Sequence, residues 1–235
     1  MTLKPGFTIA PVPATREAGK TLAKIESSAI DNGADASFAK LLWPKQSTDT
    51  KDEKKNDEEE KDEDPFHTID MLSDPANKYA WIIESATENP VAYVWWQHAK
   101  GKTEEEWAAT YANRYRPDSM NKALMDATSG VRFLKRAKLL NTRETLILKE
   151  LYVRPEFQRQ GLGGALVQWG IDEADRLGLQ AYTEASPDGY GLYVRFGLEE
   201  VDRVTVDLEP WGGNPGEYNS YALLLRPARV EAERN

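Results

Sequence analysis

The 235 residues carry 30 Lys and Arg against 39 Asp and Glu, a net charge of −9, with 40% hydrophobic residues, 2 His and no Cys. The absence of cysteine excludes disulfides, thiol catalysis and Cys-based metal sites, and two histidines (His67 and His98) argue against a multi-His metal centre or a His-dependent triad. The acidic balance argues against a nucleic-acid partner, and no apolar run reaches the roughly 18 residues that span a bilayer.

In chain order, Phe7 to Val12 reads as a first strand, ended by Pro11 and Pro13. Ala14 to Ile30 has helical spacing, with Thr15 as cap and Leu22, Ile25 and Ile30 as its apolar stripe. Phe38 to Trp43 is a short apolar helix or turn stopped by Pro44. Asp49 to Asp64 follows, with ten acids, four lysines and no apolar residue. Nothing in it can offset ordering entropy, so a solvated, disordered insertion at about 47–64 is expected within a single domain spanning 1–235. The opening residues lack the apolar core of a secretory signal, so a cytoplasmic location is expected, with the nucleus also open.

Tyr79 to Ser85 and Val91 to His98 are two strands, joined as a hairpin through Thr87-Glu88-Asn89-Pro90. Thr103 caps a helix running to Tyr115, and Asp118 to Leu140 gives one or two more, with a break near Gly130. Thr145 to Val153 is apolar on both faces and marks a central strand. Simple alternation places Glu150 on the face of Leu148 and Tyr152. Leu162 to Leu177 is an amphipathic helix capped by Gly178, and Leu179 to Ala185 returns as a strand parallel to the central one. A short helix over Gly189–Phe196 and strands over Glu199–Leu208 and Tyr218–Leu225 complete a mixed α/β (α+β) sheet with a βαβ unit at its centre.

Between the central strand and the long helix lies Gln158-Arg159-Gln160-Gly161-Leu162-Gly163-Gly164. A glycine-rich strand–helix turn leaves N–H groups free beneath a positive helix end and suits an anion, above all a pyrophosphate; it can equally be a tight connection. The run Val153 to Gly163 resembles the central motif of the GNAT superfamily of acetyl-CoA-dependent N-acetyltransferases, Gln/Arg-x-x-Gly-x-Gly/Ala, filled here by Gln158, Gly161 and Gly163. Ala185 to Leu198 is similar to the family's second motif, with Tyr193 four residues before Gly197, in a form like that of fungal members. The strong likeness covers about residues 143–200.

The resemblance implies the GNAT acyl-CoA N-acyltransferase fold, whose parallel strands splay. It implies acetyl-CoA as cofactor, with coenzyme A as product, no metal, and acetyl transfer to the primary amine of a small molecule by direct attack in a ternary complex. Cofactor binding then falls to the N–H groups of Arg159, Gln160, Gly161, Leu162, Gly163 and Gly164, to Gln158 and Ser186, and to the main chain of Leu151, Tyr152 and Val153. Tyr193 takes the general-acid position, although an aromatic packed on the sheet is the alternative. Glu150, a carboxylate in an apolar strand, is the candidate base, against a salt bridge with Lys149 or Lys135; Glu184 or water could serve instead. Histone-type members carry a glutamate where this chain has Ile147, so that activity is not implied. Tyr93 and Trp95 share a face and belong either to the core or to an aromatic-walled acceptor pocket. The remaining alternatives are a catalytically silent acyl-CoA sensor and a protein or peptide N-acetyltransferase. Neither a membrane nor a nucleic-acid partner is expected, and monomer and homodimer both stay open.

Overall fold

The computed structural model describes residues 3–30, 36–44, 67–114 and 116–229; the charged insertion lies outside them. Seven strands form one sheet in the order β1-β2-β3-β4-β5-β7-β6, where β1 is Phe7–Pro11, β2 Asn77–Glu84, β3 Pro90–Ala99, β4 Thr145–Val153, β5 Gln180–Ala185, β6 Glu199–Asp207 and β7 Tyr218–Arg226. All neighbours pair antiparallel except β4 and β5, which are joined by the long helix Leu162–Leu177 in a βαβ unit. The mixed sheet and its single parallel pair are those expected of the GNAT fold.

Helices cover both faces. Helix α1 is Arg16–Ile30, α2 Ala36–Leu42, α3 Ile69–Ser73, α4 Glu104–Ala112, α5 Lys122–Met125, α6 Val131–Leu140, α7 Leu162–Leu177 and α8 Pro187–Val194. On one face α7 and α8 bury Val94, Trp96, Leu146, Leu148, Leu166 and Ala181. Trp96 fits there only because Gly170 lacks a side chain, since a Cβ on Gly170 would overlap the indole. On the other face are two separate clusters. Leu22 and Ile25 of α1 pack on Tyr79, Tyr93 and Trp95, while Trp107 of α4 and Phe133, Ala137 and Leu140 of α6 pack on Ile147, Tyr182 and Leu223. The space between these two clusters is where side chains from the middle of β4 emerge.

The turn near Gly130 is not a break. Asp126–Gly130 forms a π turn that runs directly into α6. Helix α4 carries the expected cap, in which Thr103 accepts from the Glu106 N–H while the Glu106 carboxylate accepts from the Thr103 N–H. Gly178 ends α7 in the left-handed region, at φ 66°.

The alternation expected along β4 fails at one residue. Trp95 pairs with Glu150 but Trp96 pairs with Leu148, so Lys149 is an extra residue, a β-bulge. Leu146 and Leu148 therefore share the α7 face with Leu151 and Val153, whereas Glu150 and Tyr152 join Tyr93 and Trp95 on the opposite face. Glu150 and Leu148 do not share a face, because a bulge shifts the two-residue period by one.

Candidate active site

The parallel pair is short. β4 and β5 are in register only from Thr145↔Gln180 to Leu148↔Thr183, and there the Thr183 hydroxyl donates to the Leu148 carbonyl (3.2 Å). Beyond that point β4 continues through Lys149 to Val153 beside β3 alone, and β5 continues through Glu184 and Ala185 beside β7 alone. Among the described residues no strand pairs with Leu151, Tyr152 and Val153 on the β5 side of β4. The two strand ends thus diverge and leave a slot between them.

At the outer end of β4 the chain turns into α7. The Gln158 side chain donates to the Val153 carbonyl (3.1 Å) and so ties the turn to the strand end. Arg159 and Gly161 both adopt positive φ, 60° and 83°, which folds the turn back over the helix start. Among the described residues no N–H from Arg159 to Gly164 donates to a protein acceptor; the first backbone bond after Gln158 is from Ala165 to Gly161 (3.1 Å). Six consecutive free donors at the N-terminus of a 16-residue helix attract an anion without help from any side chain. Space is available as well, because a Cβ on Gly161 would meet nothing within 4 Å. Leu162 and Gly164 are buried and present only their main chain, Arg159 is exposed, and Gln160 accepts from Lys4 (3.2 Å). Ser186 lies on the opposite arm at the start of α8, where its hydroxyl makes no capping bond. The slot, the free donors and the open space fit a long thiol ester with a diphosphate tail.

Tyr193 of α8 belongs to the core cluster beneath α7 and is 7% exposed. Its ring packs over Gly189, where a Cβ would come within 2.8 Å of Cε2. Burial raises its pKa, so the phenol is protonated at any working pH. Among the described residues its hydroxyl has no protein partner, so packing and proton donation are compatible at this residue.

Glu150 stands on the other face. It pairs with neither Lys149 nor Lys135; Lys135 instead holds Asp202 at 2.7 Å. The Glu150 carboxylate accepts from the Tyr93 hydroxyl at 2.9 Å and lies 3.6 Å from His67 Nε2. That nitrogen also faces Tyr93 Oη at 3.2 Å and the Glu26 carboxylate at 3.3 Å. Burial, and then the Glu26 charge, push the Glu150 carboxyl up to about 7, with His67 and the Tyr93 hydrogen bond pulling the other way. Glu26 from α1 and His67 just before α3 were not singled out as site residues from the sequence. They meet Glu150 only through tertiary contact. Tyr93 and Trp95 are buried, 0% and 7% exposed; Trp95 stacks on Tyr79 (5.4 Å) and donates to Asn77 (3.0 Å).

The far wall carries positive charge. Glu184, considered as an alternative base, accepts from Arg132 Nε (3.1 Å) and lies 3.5 Å from Arg136. Burial pushes its carboxyl up, but Arg136, Arg132 and Lys149 overrule that and hold it below the usual range. An ion-paired carboxylate of this kind is a poor proton acceptor.

The architecture is shared with many solved structures. An agmatine N-acetyltransferase matches with a TM-score of 0.58 and 14% identity, over 93% of this chain and 98% of that one. The polyamine N-acetyltransferase of Drosophila melanogaster gives 0.54 and 15%, over 93% and 98%. A phosphinothricin acetyltransferase from Sinorhizobium meliloti, solved with AcCoA, gives 0.52 and 13%, over 95% and 89%. At such identities the likeness is one of fold. No curated protein sequence matches the chain. Residues 38–198 do match the family model for GNAT acetyltransferases, and with the glycine turn and splayed strands this assigns the chain to the acetyltransferase (GNAT) family.

Proposed function

We propose that the protein transfers an acetyl group from acetyl-CoA to the primary amine of a small molecule within a ternary complex. The observation that carries this reading is the slot between β4 and β5, which has free N–H donors at one end and the Glu150 carboxyl, raised to about 7, beside it. The coenzyme would lie along Leu151–Val153 with its diphosphate on Arg159–Gly164, and it supplies an acetyl group activated as a thioester. The acceptor would enter from the opposite face, beside Glu150.

Two protons have to move. An amine arrives as ammonium and must lose a proton before its lone pair can form the new C–N bond; Glu150, with a carboxyl near 7, is matched to that transfer at neutral pH. As the C–S bond breaks, the departing sulfur gains a proton, and the buried Tyr193 phenol is the donor on the coenzyme side of the slot. The Tyr93 hydroxyl, with His67 beside it, fixes the Glu150 carboxylate in place.

The test is thiol release from acetyl-CoA across a panel of arylalkylamines, polyamines, amino sugars and amino acids. Release dependent on a small amine is expected, and Tyr193→Phe should slow it roughly 10²-fold with coenzyme affinity retained. Tight coenzyme binding with no release from any small amine would overturn the reading in favour of a silent sensor; release with peptides alone would favour a protein acetyltransferase.

A further inference from the structure

The cleft above the β4 bulge is electrically divided. One side holds the carboxylates of Glu150 and Glu26 around His67. The other holds Lys149, Arg136, Arg132 and Arg114, against which Glu184 is the carboxylate in hydrogen-bonding contact. The two sides are brought together by the bulge, which turns the consecutive residues Lys149 and Glu150 to the same face; Lys149 Nζ lies 5.6 Å from the Trp95 ring centre.

The positive side holds more cations than carboxylates. Glu184 accepts its hydrogen bond from Arg132, which also donates to Asn219 (3.1 Å) and Ser129 (2.8 Å) and stacks on Tyr221 (4.0 Å). Arg132 is therefore fully used as structure. Arg136 is 93% buried, lies over the Phe133 ring (4.3 Å) and 3.5 Å from Glu184, and its Nε has no hydrogen-bond partner among the described residues. Arg114 Nε likewise has no hydrogen-bond partner among the described residues, while the rest of its guanidinium donates to Tyr111 Oη (3.0 Å) and stacks on that ring (3.9 Å). Lys149 forms no ion pair within 4 Å among the described residues, and its side chain is reached by water yet crowded by protein, as in the mouth of a cleft. Burial, and then the neighbouring Arg136 charge, lower its ammonium to about 8, so it is still cationic at neutral pH. Unmatched buried cations are costly, and arginine presents a fork suited to a carboxylate.

We infer that the acceptor carries a carboxylate as well as its amine: the amine is delivered to Glu150, and the carboxylate is held by Lys149 and Arg136. The substrate class is then a small amino acid or amino-acid-like zwitterion rather than a simple amine or a polyamine. A polycation would bring its second charge against Lys149 and Arg136, whereas a zwitterion matches both sides. The inference rests on Glu150 marking the amine end, as in the function proposed above.

The experiment compares acceptors that differ only in the carboxylate, phenylalanine against phenethylamine and arginine against agmatine, in the thiol-release assay. The carboxylated member is expected to have the higher kcat/KM, by about 10- to 100-fold, the range of a charge-assisted contact. In Lys149→Gln, a change at a solvent-reached position, that ratio should collapse toward one through KM; Arg136→Gln should do the same where it folds. Equal or better use of the decarboxylated partners overturns the inference while leaving the acetyltransferase reading intact. Should no amine be turned over at all, that reading fails. Calorimetry of phenylalanine with the coenzyme-loaded protein then decides the inference: binding weakened in Lys149→Gln supports it, and no binding refutes it.

Discussion

The two sides of the slot between β4 and β5 are built from different materials. On the α7 side recognition is written in main chain: free N–H groups, a left-handed Gly161 and an unpaired strand edge. On the other side it is written in charged side chains from α1, the segment before α3, β3, β4, β5 and α6. A main-chain site binds one ligand class in any chain that makes the same turn. A side-chain site is retuned whenever one residue changes. In the function proposed above, the coenzyme end is the generic half of the molecule and the acceptor end the individual one.

If that division is correct, Glu150→Gln should damage only the acceptor half. Its kcat/KM is expected to fall by about 10²- to 10⁴-fold with coenzyme affinity unchanged. In the parent, activity should rise with pH through about 7 as Glu150 ionises, and the variant should lose that limb; an unaltered pH–rate profile would remove Glu150 from the role. A smaller effect is expected from the generic half. Gly161→Ala places a Cβ on a backbone with φ 83°, which costs roughly 1–2 kcal/mol, so coenzyme affinity should weaken by about tenfold while the pH limb survives. Loss of that limb in Gly161→Ala would break the comparison. A further effect is on stability. Because the folded state holds the Glu150 proton more tightly than the unfolded chain does, this group favours folding at low pH and ceases to do so as pH rises from about 4.5 to about 7. Glu150→Gln removes that dependence and should be more stable than the parent at pH 8, by roughly 1–3 kcal/mol, read as a few degrees in Tm.

What the sequence disclosed follows the same division. The long helix runs over Leu162–Leu177 as its apolar stripe indicates, and the strand before it spans Thr145–Val153, because both patterns are local. The glycine turn was equally legible, since its geometry is set by neighbouring residues. Glu150 stood out as one carboxylate in an apolar strand. Its partners did not, for His67 reaches Glu26 across 41 positions and Tyr93 reaches Glu150 across 57. Arg132 and Arg136 sit on an amphipathic helix where arginine ordinarily faces water, yet both are buried. The bulge was not legible because alternation assumes an unbroken ladder, and nothing local in Leu148-Lys149-Glu150 announces that β3 skips a residue.

That skipped residue has one more consequence. Since Leu148 and Glu150 already point to opposite faces, removing Lys149 altogether would leave every other side chain of β4 on the face it now occupies. The ammonium over Trp95 is thus a detachable fitting on the sheet: excising one codon, with no compensating change elsewhere, would strip the cleft of that charge and leave the strand a plain ladder.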